Sequence, residues 1–205
     1  MKIEHFLFGT LLVGLLCLQG PAVQAADPEP LIRDDYTGEL AARRATRGPW
    51  KIADGMAVCT QDDELFKKFK DHGPVIWYDA QFTDAVIKFT FKPEKAKTFV
   101  FTVNGPNGHV FRFISSERGT TVVAFPPSAD HKSKPLDRGG PKLSDGQWTP
   151  VTVELRGTKA VVQIGDYKAE VEDPSLAGQK VVVGLGFSFG TVALKDFSLT
   201  PIVVK

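Results

Sequence analysis

Several groupings in this chain have the residue types and spacing that chemistry requires. Gly186-Phe187-Ser188-Phe189-Gly190 matches a nucleophile elbow, in which a serine on a strand-to-helix turn attacks a carbonyl. Thr191-Val192-Ala193-Leu194 reads as another strand instead of a helix, so the two glycines are expected to serve a hairpin turn. His72, His109 and His131 are far apart and show no H-x-H, H-x-x-H or HExxH spacing. Asp130-His131, with Asp137, could supply two or three ligands to a divalent metal, although a solvated polar loop is the plainer expectation. Glu170, Glu172 and Asp173 form a dense carboxylate cluster. Paired carboxylates cleave glycosides when they stand about 5 Å or 6.5–9.5 Å apart. Glu170 and Glu172 share one strand face opposite Val171, which is the pattern of a solvated edge.

Aromatic rings can stack on the face of a pyranose, and Trp50, Trp77, Tyr78 and Trp148 are the candidates. Trp50 and Trp148 each open a strand shortly after a glycine, where a sandwich edge needs plugging. Trp77 and Tyr78 are neighbours on one strand, so one faces the core and the other does not; either could contact substrate.

Positioning such groups falls to short strands. From Gly146 to Pro201 apolar runs recur about every ten residues, split by Gly157, Gly165-Asp166 and Asp173-Pro174, the mark of an all-β sandwich or barrel. Leu31–Tyr36 reads as a first strand, Gly38–Arg47 as a basic segment able to hold one helical turn, and Trp50–Val58 as a hairpin turning at Asp54-Gly55. Asp62–Phe69 is the helix candidate, with acidic residues in its first turn and lysines in its last. Val75–Tyr78, Asp84–Phe91, Thr98–Asn104, His109–Ser115 and Thr120–Phe125 are further strands. Pro126–Leu143, rich in Pro, Gly, Lys and Asp, reads as one long loop. Alternation puts Phe99, Phe101 and Val103 on one face and Thr102 and Asn104 on the other. Phe111 and Phe113 share a face with His109, and Arg112 points away. With the phenylalanines in the core, Thr102, Asn104 and Arg112 form a polar patch on the opposite face, provided that no bulge intervenes.

Residues 1–26 read as a secretory signal peptide, with Lys2 before an apolar Phe6–Leu18 run and small residues at Ala25-Ala26 for cleavage. The remaining chain of about 180 residues suits one domain. It is expected to be exported to the periplasm or the exterior, with no membrane span after cleavage. The formal net charge is +1, and loss of Lys2 and Glu4 leaves it unchanged. There is no basic field for nucleic acid. Cys59 would be the remaining cysteine, so no internal disulfide is expected, and its apolar neighbours place it in a buried strand.

Further residues carry a resemblance. Trp50-x-x-x-Asp54-Gly55, Phe82-x-Asp84 leading into Val86-Ile87-Lys88-Phe89, Gln147-Trp148-x-x-Val151-x-Val153-Glu154-Leu155-x-Gly157, and Gly184-Leu185-Gly186 before Val192-x-Leu194-x-Asp196-Phe197 resemble the 3-keto-disaccharide hydrolase domain family. The resemblance covers roughly residues 31–201. It implies a concanavalin A-like jelly-roll β-sandwich of two antiparallel sheets, here with one short helix. It also implies chemistry on oxidised sugars, in which a C3 ketone acidifies the C2 hydrogen, a base removes that proton and the C1 substituent leaves. On that basis His109 could be the base and Arg112 could face the developing enolate, with Asp130 or His131 assisting from the loop. Thr102, Asn104, Trp77 and Tyr78 would contact the sugar, and a divalent metal could take part. The chain departs from the family pattern at Phe101-Thr102-Val103-Asn104 and Phe111-Arg112, and it also lacks the Glu-x-Asp-x-x-Glu signature of laminarinase-type jelly rolls. The alternatives are a non-catalytic carbohydrate-binding module and a structural envelope domain.

Overall fold

The structure, a computed structural model, describes residues 29–127 and 132–203. The signal-peptide segment therefore lies outside the described residues, as do Asp130 and His131. In chain order the strands are β1 (Ile32–Asp34), β2 (Arg43–Thr46), β3 (Lys51–Ala53), β4 (Met56–Thr60), β5 (Val75–Phe82), β6 (Ala85–Glu94), β7 (Thr98–Gly105) and β8 (Gly108–Ser116). They continue as β9 (Gly119–Ala124), β10 (Lys134–Gly140), β11 (Thr149–Arg156), β12 (Lys159–Ile164), β13 (Tyr167–Glu172), β14 (Lys180–Ser188) and β15 (Thr191–Pro201). One helix, α1 (Asp63–Lys68), and a single 3-10 turn (Pro174–Ala177) complete the described elements.

Two antiparallel sheets pack face to face. One runs β13-β12-β11-β6-β15-β4-β3, with β1 pairing beside β15; the other runs β10-β9-β8-β7-β14-β5-β2. This is the all-β sandwich that the strand pattern implied, in the jelly-roll form that the resemblance implied. Phe89 and Phe91 from the first sheet meet Phe99, Phe101, Phe111 and Phe113 from the second. Phe91 stacks on Phe99 with centroids 4.1 Å apart, and Phe101 stacks on Phe113 at 5.3 Å. Burial of each such side chain contributes about 1.5–3 kcal/mol. Cys59 is buried in β4, and burial pushes its thiol up to about 12. Among the described residues no helix is long and apolar enough to cross a membrane.

Two segments differ from the sequence reading. The basic Gly38–Arg47 segment holds strand β2, not a helical turn, because it pairs with β5 and splits its charges between two faces. Arg43 turns inward to Asp34, whereas Arg44 turns outward to Asp79. The Pro126–Leu143 segment contains β10, which pairs with β9 through two register shifts. An edge strand needs only one side of its ladder, so it tolerates proline and glycine that hide a strand from sequence reading. The hairpin between β14 and β15 turns at Phe189-Gly190, both near φ +60°, so Ser188 ends a strand and no elbow forms. Asp62 caps α1 by accepting the Leu65 amide at 2.8 Å.

The first strand is tied to the opposite sheet by a buried polar cluster. Arg43 Nη1 donates to Asp34 Oδ1 and Oδ2 at 2.7 and 2.9 Å, and the Tyr78 hydroxyl donates to Asp34 Oδ2 at 2.9 Å. Tyr36, bonded to Tyr78 through paired hydroxyls 2.6 Å apart, gives its backbone N–H to Asp34 Oδ1. Burial raises both phenols above the ordinary tyrosine value, so they stay protonated as donors. Asp34→Ala strands a buried guanidinium and is expected to cost about 3–5 kcal/mol in urea denaturation; a loss below ~1 kcal/mol would show the cluster to be solvated.

Candidate functional site

The outward face of the seven-stranded sheet gathers most of the described candidates. Register sets Arg44 on β2 beside Trp77 on β5, Trp77 beside Gly184 on β14, Gly184 beside Thr102 on β7, and Thr102 beside Arg112 on β8. Residues paired across antiparallel neighbours share a face, so these five form one row across the sheet. Their chain neighbours Tyr78, Val183, Phe101 and Phe111 fill the core.

A bulge adds the fourth polar group. β8 carries one extra residue, Val110, between the pairs Val103–Phe111 and Asn104–His109. Strict alternation would leave His109 on the phenylalanine face. The extra residue turns it outward, opposite Asn104, to the patch formed by Thr102, Asn104 and Arg112. Arg112 Nε donates to Thr102 Oγ1 at 3.1 Å, and Thr102 Oγ1 donates to Asn104 Oδ1 at 3.3 Å. His109 Nδ1 donates to the same Asn104 oxygen at 2.7 Å, and Arg112 Nη2 donates to His109 Nε2 at 2.6 Å. The four side chains close a ring. Because the Asn104 oxygen only accepts and the guanidinium only donates, this pattern assigns the proton of a neutral His109 to Nδ1. The 3.1 Å approach of Nη2 to Nδ1 is then a contact between donors.

Phe125 caps the ring, 5.2 Å from the His109 ring and 5.2 Å from the Arg112 guanidinium carbon. Partial loss of water and the adjacent guanidinium hold His109 below the ordinary imidazole range, so it is neutral at pH 7. Partial burial likewise disfavours the Arg112 charge without removing it.

Two cavities flank the ring. One of about 250 Å³ is lined by Arg47, His72, Trp77, Thr102, Arg112 and Ser188, among others. The other, of about 670 Å³, lies at the opposite end of the strands against the Gly105–Val110 turn, Phe125–Pro127 and Gln179. The larger space takes in His109 and Phe125 among turn glycines and prolines; the smaller one holds the indole of Trp77 with Arg47 and Arg112. Gly184 makes room for Trp77. A methyl group at Gly184 would lie 2.5 Å from Trp77 Cζ3 and 2.8 Å from Thr102 Cγ2, so the edge of the indole rests on this glycine. At the far rim, Gly73 seats the segment after α1 against β14, since a side chain there would meet the Phe187 carbonyl at 2.0 Å. His72 Nδ1 lies 3.0 and 2.8 Å from the Phe69 and Lys70 carbonyls and donates to them when neutral, which leaves Nε2 as an acceptor.

Two sequence expectations, those for Tyr78 and His109, are corrected here, while the carboxylate cluster and Trp50 stand as expected. Tyr78 is fully buried in the Asp34 cluster and stacked on Phe197, so it is not a sugar contact; Trp77 is the outward member of the pair. His109 stands with the polar residues and not with the phenylalanines. Glu170 pairs with Lys168, Glu172 accepts from Thr158, and Asp173 caps the 3-10 turn and holds Lys134. Trp50 plugs the sandwich edge against Phe187, and Trp148 lies between Lys92 and Lys195. Among the described residues no three His, Cys, Asp or Glu side chains converge as metal ligands. Sequence reading missed Arg47, His72 and Phe125 at the site. Gly184, inside an apolar strand, is the signal of a close approach that the sequence offers beside Trp77.

No protein family and no curated protein matches the chain at the sequence level. Its fold is similar to that of carbohydrate binding module CBM66 from Bacillus subtilis, with a TM-score of 0.59 at 8% identity over 78% of this chain and 95% of that one. A sialidase matches with a TM-score of 0.60 at 7% identity over 85% of this chain, which corresponds to only 19% of the sialidase. LamAcat from Zobellia galactanivorans matches at 0.50 with 10% identity, covering 74% of this chain and 79% of that one. At these identities the likeness establishes the jelly-roll fold.

Gly184→Ala is expected to dislodge Trp77 and cost about 1–3 kcal/mol through overpacking, read as a shift in indole fluorescence and a lower urea midpoint. Because folding depresses the His109 pKa, the unfolded chain takes up the proton first as pH falls through about 6.5. Stability is therefore expected to drop from pH 7.5 to pH 5, and His109→Gln should reduce that drop; an identical pH profile in the variant would place the His109 proton outside the folding equilibrium.

Proposed function

We propose that this chain binds a carbohydrate on the outward face of the seven-stranded sheet. The observation that carries the reading is the single row in which Trp77, resting on Gly184, leads through Thr102 to the ring of Arg112, Asn104 and His109. An indole beside fixed hydrogen-bonding groups is what a pyranose needs, with an apolar ring face against the aromatic and hydroxyls at its edge. The cavity beside Trp77, about 250 Å³, is smaller than the roughly 300–1,000 Å³ of drug-sized sites. It suits one sugar ring, with the rest of an oligosaccharide lying across the open sheet. The fold shared with CBM66 from Bacillus subtilis supports the same reading. The chain acts outside the cytoplasm, in the periplasm or beyond the cell, a reading that rests on the apolar N-terminal segment of the sequence.

A second reading keeps the same face and adds turnover: elimination or hydrolysis of a 3-keto-glycoside. The neutral His109 beside Arg112 favours it. Arg112 would have to release Nε2, since that lone pair is already occupied; the imidazole could then take the C2 proton while the guanidinium faces the enolate oxygen.

Trp77→Ala is expected to weaken binding of the preferred oligosaccharide by about tenfold or more, ~1.4 kcal/mol, in titration calorimetry with the fold intact. Unchanged affinity would remove Trp77 from the site. Wild type and His109→Gln incubated with a 3-keto-disaccharide separate the two readings: glucose or an unsaturated keto-sugar released by wild type alone establishes turnover, and intact substrate beside bound glycan leaves a binding module.

A further inference from the structure

The arginines of this chain are matched with carboxylates in an uneven way. Arg43 meets Asp34 at 2.7 Å, Arg44 meets Asp79 at 2.6 Å, and Arg156 meets Glu154 at 3.1 Å. Arg112 is half-buried, yet among the described residues it faces no carboxylate. Its bonds go to a hydroxyl and a neutral imidazole, and an aromatic ring lies over it. Nη1 makes no hydrogen bond to any described residue. Arg47 lines the same cavity and has no carboxylate partner among the described residues either; its guanidinium lies 6.0 Å from the centroid of Phe69. Asp71 is the one carboxylate on the lining, exposed at the rim, and it forms no ion pair with a described residue. His72, the remaining titratable group of the lining, presents an acceptor when neutral. With Arg44 and Asp79 cancelling beside Trp77, two guanidiniums and one carboxylate leave the cavity with one net positive charge.

A half-buried cation without a counter-ion costs free energy that the fold must supply elsewhere. Arg43 shows that this chain provides a carboxylate where an arginine is structural. Around Arg112 it provides neutral groups that orient the guanidinium while leaving its charge unspent. A ligand that brings an anion recovers that interaction, and a planar carboxylate or a sulfate ester matches the fork of N–H donors.

Resting on the carbohydrate reading above, we propose that the ligand is an acidic glycan, whose carboxylate or sulfate group is received by Arg112, with Arg47 reinforcing the positive field, while Trp77 stacks on its sugar ring. The anion replaces water at Nη1 and forms a charge-assisted bond there without dismantling the ring to Thr102 and His109. Affinity therefore falls as salt rises, because the site is open on one side and screened.

The test compares matched series by titration calorimetry on the full folded chain. Neutral galacto-oligosaccharides are set against oligogalacturonates, which carry the carboxylate, and sulfated galactose oligosaccharides, which carry the ester; neutral gluco-oligosaccharides are set against oligoglucuronates in the same way. At least one acidic series is expected to bind about tenfold or more tighter than its neutral counterpart, with the difference shrinking in high salt. Carboxylate and sulfate arms then identify which anion is received. Arg112→Gln is expected to abolish that preference, and Arg112→Lys to retain part of it. Arg47→Gln lowers the preference without touching the ring, which keeps the test valid should Arg112→Gln disturb the sheet. Trp77→Ala weakens acidic and neutral series alike. Equal affinity for acidic and neutral partners, or a preference that survives in Arg112→Gln and Arg47→Gln, overturns the acidic-ligand proposal while the carbohydrate reading stands. Failure of every series to bind overturns both.

Discussion

The inward faces of the two sheets must be filled, and that constraint places everything on the outward face. Strand side chains alternate strictly, so once Phe99, Phe101, Phe111 and Phe113 are committed to the core, Thr102 and Arg112 have no choice but to face away. The stacked phenylalanine layer holds the register of β7 and β8, because a one-residue slip of either strand would turn its two rings outward at about 1.5–3 kcal/mol each. The position of the candidate site is thus a consequence of packing beneath it.

The bulge at Val110 is the local exception that the site needs. It breaks alternation near the end of one hairpin, brings His109 across the sheet and so completes a ring that three residues alone could not close. Gly184 contributes in the opposite way, by leaving out a side chain so that an indole can lie where a methyl group would collide. One strand, β8, has a residue too many and another, β14, an atom too few, and both departures occur on the outward face, where the core does not object.

Two arginines show how partners decide what the same group has left to offer. Arg43 is buried between the sheets and satisfied by Asp34, Tyr78 joining the same carboxylate. Arg112 is only half-buried and surrounded by neutral partners, so its hydrogen bonds fix its orientation while its charge remains available. Burial depth and the identity of the partner, not the residue type, separate the two settings.

Much of this was legible in the chain itself. Alternation over Thr98–Asn104 and around Phe111-Arg112-Phe113, turn residues at regular intervals, and Asp62 before a charge-graded helix determined the all-β sandwich, its core phenylalanines and the outward placement of Thr102, Asn104 and Arg112. These features are local, with periods of two or four residues, and a linear reading detects them. Strand β10 escaped because its prolines and glycines conceal an edge strand, and β2 escaped because its arginines do not resemble a strand until each finds its own carboxylate. Tertiary structure alone decided that Tyr78 is core and Trp77 is surface, that one inserted residue turns His109 outward, and that Arg47 and His72 from distant loops reach the same cavity. Those outcomes depend on which strands become neighbours and on which face is covered, and pairings between residues separated by tens of positions leave no periodic trace in the sequence.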